Sequence, residues 1–292
     1  MPELPEVETV VRGLRPALEG KRIARVEARR PDLRFPLPYR FVDRLTGRTV
    51  IEVVRRAKYI LIRLDNSETW LAHLGMSGRF TVSPGATATS GQAGHNSCWD
   101  LPAKHDHVIV EMSDGGQVVF NDTRRFGYMD LIPPGGEAES PHLRSIGPEP
   151  LSQDFNPDYL AGVLRGKKTP IKVALLDQKV VAGIGNIYAC EALWRAGLSP
   201  RRSAYTVAGQ RAVRLVDAVQ SVLAEAIEAG GSSLRDYVQT DGELGYFQHN
   251  WAVYGREGEF CLKYGDTDEE SCRVRRIVQS GRSTFYCPQR QR

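Results

Sequence analysis

Met1-Pro2-Glu3-Leu4-Pro5-Glu6-Val7-Glu8-Thr9 opens the chain, and it can be read in two ways. As a helix start it is ordinary, since acidic residues suit a first helical turn and Pro5 suits position N1. As chemistry it is unusual. Removal of Met1 leaves Pro2 as the terminal residue, and a terminal proline is the only secondary amine a standard chain can offer. Such an amine attacks an electrophilic carbon and leaves a charged iminium, which no internal backbone nitrogen can do. An α-amino group has an unperturbed pKa near ~8, so a useful fraction is uncharged at neutral pH. Glu3 stands beside it to give or take the proton this chemistry needs. The opening residues alone favour the helix start; the rest of the chain reverses that.

Working outward, Val7, Val10, Val11, Leu14 and Leu18 fall on one face of a helix from Pro5 to Leu18, which would hold the N-terminus against a core. Residues 22–30 alternate apolar and polar as a half-buried strand does. Similar or β-branched runs recur at 49–54, 59–64, 69–74, 107–112, 117–121 and 128–132, with Asp114-Gly115-Gly116 as a hairpin turn. Many short strands separated by turn signals argue for a β-sandwich. Residues 84–97, rich in Gly, Ala, Ser and Thr, read as a surface insertion. The texture changes at Pro133-Pro134-Gly135-Gly136. Helical patterns follow at 158–165, 170–178, 186–197, 207–229 and 232–238, with Thr206 as the expected N-cap of the long one. The last thirty or so residues return to short strands. The expected class is α+β, divided into a β-sandwich over 1–134, a linker over 135–157, a helical domain over 158–248 and a β-hairpin tail over 249–292.

Bulk properties restrict the function without choosing it. A chain of 292 residues, 41% hydrophobic and 25% charged, suits one large or two ordinary globular domains. No apolar run approaches the roughly 20 residues that span a bilayer. The acidic N-terminus lacks a secretion signal pattern, so an intracellular, cytoplasmic protein is expected. The five cysteines are too thinly spread for a disulfide framework. A net charge of +4 only hints at a polyanionic partner, but Arg and Lys gather in short clusters at turns.

Those clusters carry the candidate motifs. Arg55-Arg56-Ala57-Lys58-Tyr59 lies between two strands, as a solvated basic turn or as a phosphate contact with Lys58 in reach of a reacting sugar. His73-Leu74-Gly75-Met76-Ser77-Gly78 sets a Met between glycines, as core filler or as a wedge for a base stack. Asn121-Asp122-Thr123-Arg124-Arg125-Phe126-Gly127 again combines basic and apolar side chains on a loop. Two such loops together strengthen the wedge reading, because displacing a base requires something to fill the hole. Gly183-Ile184-Gly185-Asn186-Ile187-Tyr188 opens a helix, with Asn186 as a good N-cap and free N–H groups suited to phosphate. Lys167-Lys168-Thr169 could reach the same strand. Ser280-Gly281-Arg282 is a tight turn that displays a guanidinium.

Taken together, these residues closely resemble the formamidopyrimidine-DNA glycosylase and endonuclease VIII family of base-excision repair enzymes. The resemblance runs nearly end to end, through Met1–Thr9, Arg55–Tyr59, His73–Gly78, Lys104–Val108, Asp122–Gly127, Gly147–Leu151, Gly183–Ala189, Tyr254–Glu257 and Gly281–Cys287. It implies a β-sandwich, a helix–two-turn–helix domain and a zinc-binding β-hairpin, with damaged duplex DNA bound in the cleft between the domains by a monomer. It implies Pro2 as the Schiff-base nucleophile, Glu3 as the general acid, and Lys58 and Arg282 as proton donors of β- and δ-elimination, with no cofactor for the chemistry. His105, Arg124, Lys168 and Asn186 fall on DNA-contacting positions, and Met76, Arg124 and Phe126 match the trio that fills the gap left by a flipped nucleotide. Gln239–Phe247 resembles the loop that closes over an oxidised purine, so 8-oxoguanine and formamidopyrimidines are the expected lesions. The alternatives are oxidised pyrimidines, or lesion binding without turnover.

The tail departs from the family. Two closely spaced cysteine pairs are expected, yet Tyr264 and Arg290 stand where partners of Cys261 and Cys287 should be, and Cys272 lies eleven residues after Cys261. Cys261, Cys272 and Cys287 with a borrowed Asp or His could still hold a structural zinc; a metal-free hairpin is the other reading.

Overall fold

The computed structural model describes residues 2–85, 103–232, 240, 245–261 and 272–292. They form two compact units. One gathers Pro2, Glu6–Arg144 and the described part of Ser232–Gly245; the other gathers Glu3–Pro5, Ser145–Gly231 and the described part of Tyr246–Arg292. The 84–97 insertion, the 232–238 helix and the 239–247 loop lie largely outside the described residues.

The chain starts with α1 (Leu4–Leu18), so Pro5 is its second helical residue, where a missing N–H costs nothing. Its apolar stripe of Val7, Val10, Val11, Leu14 and Leu18 is fully buried in the core of the first unit. There, β1 (Ile23–Ala28) heads a sheet ordered β1-β6-β7-β5, with β5 at Gly78–Ser83, β6 at Asp106–Met112 and β7 at Gln117–Asp122. The second sheet, ordered β2-β3-β4-β8, holds Val50–Arg56, Tyr59–Leu64, Thr69–His73 and Tyr128–Ile132. All pairs are antiparallel. Trp70 of β4 meets Phe80 of β5 edge-on at 6.4 Å, and the inward residues of both sheets share one core, which makes the expected β-sandwich. Gly115 at φ 83 turns the β6–β7 hairpin, and the Asp114 side chain accepts the Gly116 N–H at 3.0 Å.

Two elements of this unit are absent from the sequence reading. Strand β5 follows the Met76 loop so closely that its alternation merges with the loop's glycines. The short α2 (Phe41–Leu45) holds Phe41 and Leu45 in the core, too brief a run to show helical periodicity.

The second unit packs α3 (Pro157–Leu164), α4 (Ile171–Leu176), α5 (Asn186–Arg195) and α6 (Gln210–Glu228) around a core of Leu160, Leu175, Tyr188, Leu215, Val219 and Leu223. Asn156 caps α3 by accepting the Tyr159 N–H at 2.9 Å. Thr206 does not cap α6: its hydroxyl donates to Ser203 C=O at 2.8 Å within a short 3₁₀ turn, and Gly209, at φ 52, enters the helix instead. The unit ends in β9 (Arg275–Gln279) and β10 (Arg282–Tyr286), joined by Ser280 at φ 47 and Gly281 at φ 73. Two successive positive φ values give the type I′ turn that matches strand twist.

Candidate functional site

In the second unit the site is built on the start of α5. Gly185 is its N-cap, and Asn186, expected as the cap, is the first helical residue instead. The orphan N–H groups go to Glu3, whose buried carboxylate accepts Gly185 N–H at 2.8 Å, Ile187 N–H at 2.9 Å and Tyr188 N–H at 3.4 Å. A carboxylate there satisfies donors that have no intrahelical partner and complements the helix dipole. The Leu4 N–H adds a bond to Gly183 C=O at 3.1 Å, so the segment that follows Pro2 is fixed at both of its next residues. A Cβ at Gly185 would collide with the Glu3 carboxyl group, so glycine is required for this approach.

Freed from capping, Asn186 organises what lies around it. Its Oδ1 accepts from Lys172 Nζ at 2.5 Å, and its Nδ2 donates to Ser283 C=O at 2.9 Å and lies 3.4 Å from the Tyr254 hydroxyl. Ser283 follows Arg282, whose exposed side chain leaves the hairpin turn. Lys172 is fully buried, and burial pushes its ammonium below the ordinary lysine range. Tyr254 is held through Glu191, a buried carboxylate that accepts the N–H groups of Ala252, Val253 and Tyr254 at 2.8, 3.0 and 2.8 Å. Glu3, Asn186 and Arg282 are thereby gathered into one constellation, together with Lys172, Glu191 and Tyr254, which the sequence reading missed. A lysine on an apolar helix face gives no sign of pointing inward. Lys168 is exposed, ahead of α4.

In the first unit, Ala57 at φ 53 turns β2 into β3 and leaves Lys58 buried beside Tyr59. Tyr59 receives a hydrogen bond from the Tyr128 hydroxyl at 3.0 Å, and His73 stacks on Tyr128 at 4.9 Å. His73 Nδ1 accepts the Gly75 N–H at 3.0 Å. Burial, with Lys58 and Arg34 nearby, lowers its pKa to about 4, so the ring is neutral at pH 7.

The two wedge-like loops converge on Asp122. Its carboxylate accepts the Ser77 hydroxyl at 2.6 Å and the N–H groups of Gly127 at 2.7 Å and Arg124 at 3.3 Å, which ties Gly75–Gly78 to Arg124–Gly127. Met76 and Phe126 remain 37% and 42% exposed despite being apolar, and the Arg124 guanidinium lies 5.1 Å from the Phe126 ring centre. The structure brings these three together on adjoining loops. His105 lies just before β6, with its C=O accepting the Asp122 N–H at 3.1 Å. A third turn, unread in the sequence, joins them: the Arg34 N–H donates to Gly127 C=O at 3.0 Å, and Phe35 is 48% exposed against Tyr128.

At the tail, the sulfurs of Cys261, Cys272 and Cys287 all lie within 4.8 Å of one another. Trp194 Nε1–H donates to Cys261 Sγ at 3.2 Å. Burial and the Cys287 sulfur push the Cys272 thiol up to about 12; burial also opposes ionisation of Cys287, but hydrogen bonds from Cys272 and from the Arg290 and Gln289 N–H groups hold it below the ordinary range. Three crowded sulfurs with N–H groups aimed at them suit a cation, and they fit a structural zinc as three of its four donors. Bound there, the ion would brace the hairpin that carries Arg282.

A β-sandwich with Met76, Arg124 and Phe126 exposed on adjoining loops, followed by a helical unit whose helix start is clamped by Glu3 and whose terminal hairpin displays Arg282, is the architecture of the helix–two-turn–helix DNA glycosylases. The model of the formamidopyrimidine-DNA glycosylase N-terminal domain matches residues 1–129, and that of the formamidopyrimidine-DNA glycosylase H2TH domain matches 146–238. The formamidopyrimidine-DNA glycosylase of Cereibacter sphaeroides is 56% identical over 294 residues, covering 100% of both chains. The Lactococcus lactis Fpg, solved in complex with DNA containing an abasic site, superposes with a TM-score of 0.84 at 32% identity over 99% of each chain. A MutM solved with DNA containing carbocyclic 8-oxo-G gives a TM-score of 0.83 at 33% identity over 100% of each chain. The chain belongs to the formamidopyrimidine-DNA glycosylase family. Among the described residues no helix is long and apolar enough to cross a membrane.

Proposed function

We propose that the protein is a bifunctional glycosylase and abasic-site lyase that excises 8-oxoguanine and formamidopyrimidines from duplex DNA in the cytoplasm. The observation that carries the reading is the Glu3 clamp on α5, since a chain that locks the residue after Pro2 to a helix start holds its N-terminus in a fixed place. The family membership and the lesion-bearing DNA of its solved relatives support the same substrate class.

In this reading Met76, Arg124 and Phe126 fill the stack as the damaged nucleotide leaves it. His105, Lys168 and Asn186 contact the DNA strand. The Pro2 nitrogen, freed by removal of Met1, attacks the sugar C1′ while the C1′–base bond breaks; Glu3 takes the proton that the amine sheds and passes it to the ring oxygen, and the ring C–O bond breaks as the iminium forms. The resulting iminium withdraws electrons from C2′, so loss of the C2′ proton expels the 3′ phosphate, and a second elimination expels the 5′ phosphate. Lys58 and Arg282 donate protons in the first and second eliminations respectively.

The test is borohydride trapping on a duplex with 8-oxoguanine opposite cytosine. Reduction of the iminium gives a covalent protein–DNA band, expected for the processed chain and lost when Pro2 is replaced or Met1 is retained. An undiminished band from either altered chain overturns the assignment of Pro2, and binding without any band on this or an abasic duplex overturns the enzyme.

A further inference from the structure

We propose that Arg202, Arg211 and Arg214 form a second backbone-binding station in the helical unit, which grips phosphates of the duplex flanking the lesion. They continue the track begun by Lys168 and so serve the DNA-bound enzyme proposed above.

The strip is built around the 3₁₀ turn at Ala204–Thr206. The Ala204 N–H donates to Thr169 C=O and the Tyr205 N–H to Lys167 C=O, both at 2.9 Å, which lays the turn beside Lys167 and Lys168. Two guanidiniums converge on Thr206: Arg202 Nη1 lies 3.5 Å from its hydroxyl, and Arg211 Nη1 donates to its C=O at 3.3 Å. Arg202 Nε also donates to Arg292 C=O at 3.3 Å. Arg214 follows Arg211 by one turn of α6 and shares its face. Lys168, Arg211 and Arg214 are exposed. Among the described residues none of these cations pairs with a side-chain carboxylate, although Arg195 of neighbouring α5 pairs with Glu225 of α6 at 2.6 Å.

Such crowding is unfavourable for the chain by itself. Burial and the Arg211 and Arg214 charges lower the Arg202 pKa below its ordinary range. Arg211 stands in the first turn of α6, where the helix dipole disfavours a cation and no acidic residue offsets it. A bound anion relieves both. Separate cations laid along a turn and a helix face match a polymer of evenly spaced phosphates, whereas one small anion needs a convergent pocket. Helix α5 is ten residues long, so Arg202, beyond its far end, lies roughly 15 Å from Asn186. That distance is about four nucleotide steps along a strand, which puts the station on flanking duplex and away from the damaged nucleotide.

The experiment measures binding of the full chain to 8-oxoguanine duplexes that differ only in which single phosphate is replaced by a neutral methylphosphonate. For the parent chain, binding should weaken at phosphates beside the lesion and again about four steps away. In a double variant, Arg211→Gln with Arg214→Gln, checked for an unchanged thermal melt, the outer sensitivity should vanish and the inner one remain. The slope of log affinity against log salt should fall by about 2. An unchanged slope, or outer sensitivity retained in the variant, overturns the proposal, as does a parent chain that responds only to the inner phosphates. Loss of oligoglutamate binding in the variant with duplex binding intact also overturns it, and would assign the strip to an acidic protein segment. A parent chain that binds no duplex at all brings down the glycosylase reading as well, so the two failures are told apart.

Discussion

The Glu3 carboxylate faces the N–H groups of Gly185, Ile187 and Tyr188, so Glu3→Gln turns one acceptor into a donor pointed at donors. Hydrogen bonds to a buried charged group contribute about 2 kcal/mol, and an unmatched buried donor adds to the loss. Denaturant unfolding should show a destabilisation of about 2 kcal/mol, along with loss of strand cleavage; a variant as stable as the parent would remove the clamp from the account. His73 offers a pH test. Its folded pKa of about 4 lies below the unfolded value of about 6.5, so the unfolded chain binds a proton more readily. The contribution is present in full above pH ~6.5 and is lost as pH falls toward the folded value, by up to ~3 kcal/mol. His73→Asn keeps an acceptor for the Gly75 N–H without titrating. Melting measured between these limits should fall less steeply in the variant, and parallel pH profiles would exclude His73 as the source.

The loops that carry Met76 and Phe126 act as one element because Asp122 fastens both and Gly75 lets them meet. Gly75 has φ +64, and a Cβ there would run into the backbone of Phe126 and Gly127. Gly75→Ala therefore combines left-handed strain, about 1–3 kcal/mol, with displacement of the Met76 and Phe126 side chains. The expected result is slower excision of 8-oxoguanine with much less effect on an abasic duplex, where no base has to be extruded. Single-turnover rates on the two substrates check this, and equal slowing would make the change one of general stability rather than of wedge placement.

Over the entire chain, a net charge of +4 is small for a protein that binds a polyanion, so the affinity depends on where the charges sit. Binding to undamaged duplex should weaken linearly in a plot of log affinity against log salt. Arg124→Ala and Lys168→Ala should each reduce the slope by about 1, as expected for loss of one phosphate contact. Unchanged slopes would mean that these side chains read something other than backbone charge.

Much of this architecture is local chemistry and can be read along the chain. The Val7–Leu18 stripe, the alternation of the strands, the Asp114-Gly115-Gly116 turn and the Ser280-Gly281 turn are each set by neighbours a few residues apart. The departure at Arg290 shows when the tail is set beside the family's paired cysteines. Pro2, Glu3, Lys58 and Arg282 stand out as candidates because the chemistry of a terminal proline and of basic turns belongs to the residues themselves, while their separate roles come from the family resemblance. What tertiary packing decided is which distant groups satisfy one another. Glu3, rather than Asn186, takes the N–H groups of α5, and Asn186 is thereby released to Lys172, Tyr254 and Ser283. Asp122 fastens two loops, and three cysteines far apart in sequence converge. A buried polar atom must find a partner, but sequence position does not say which; only the folded chain brings Glu3 to Ile187.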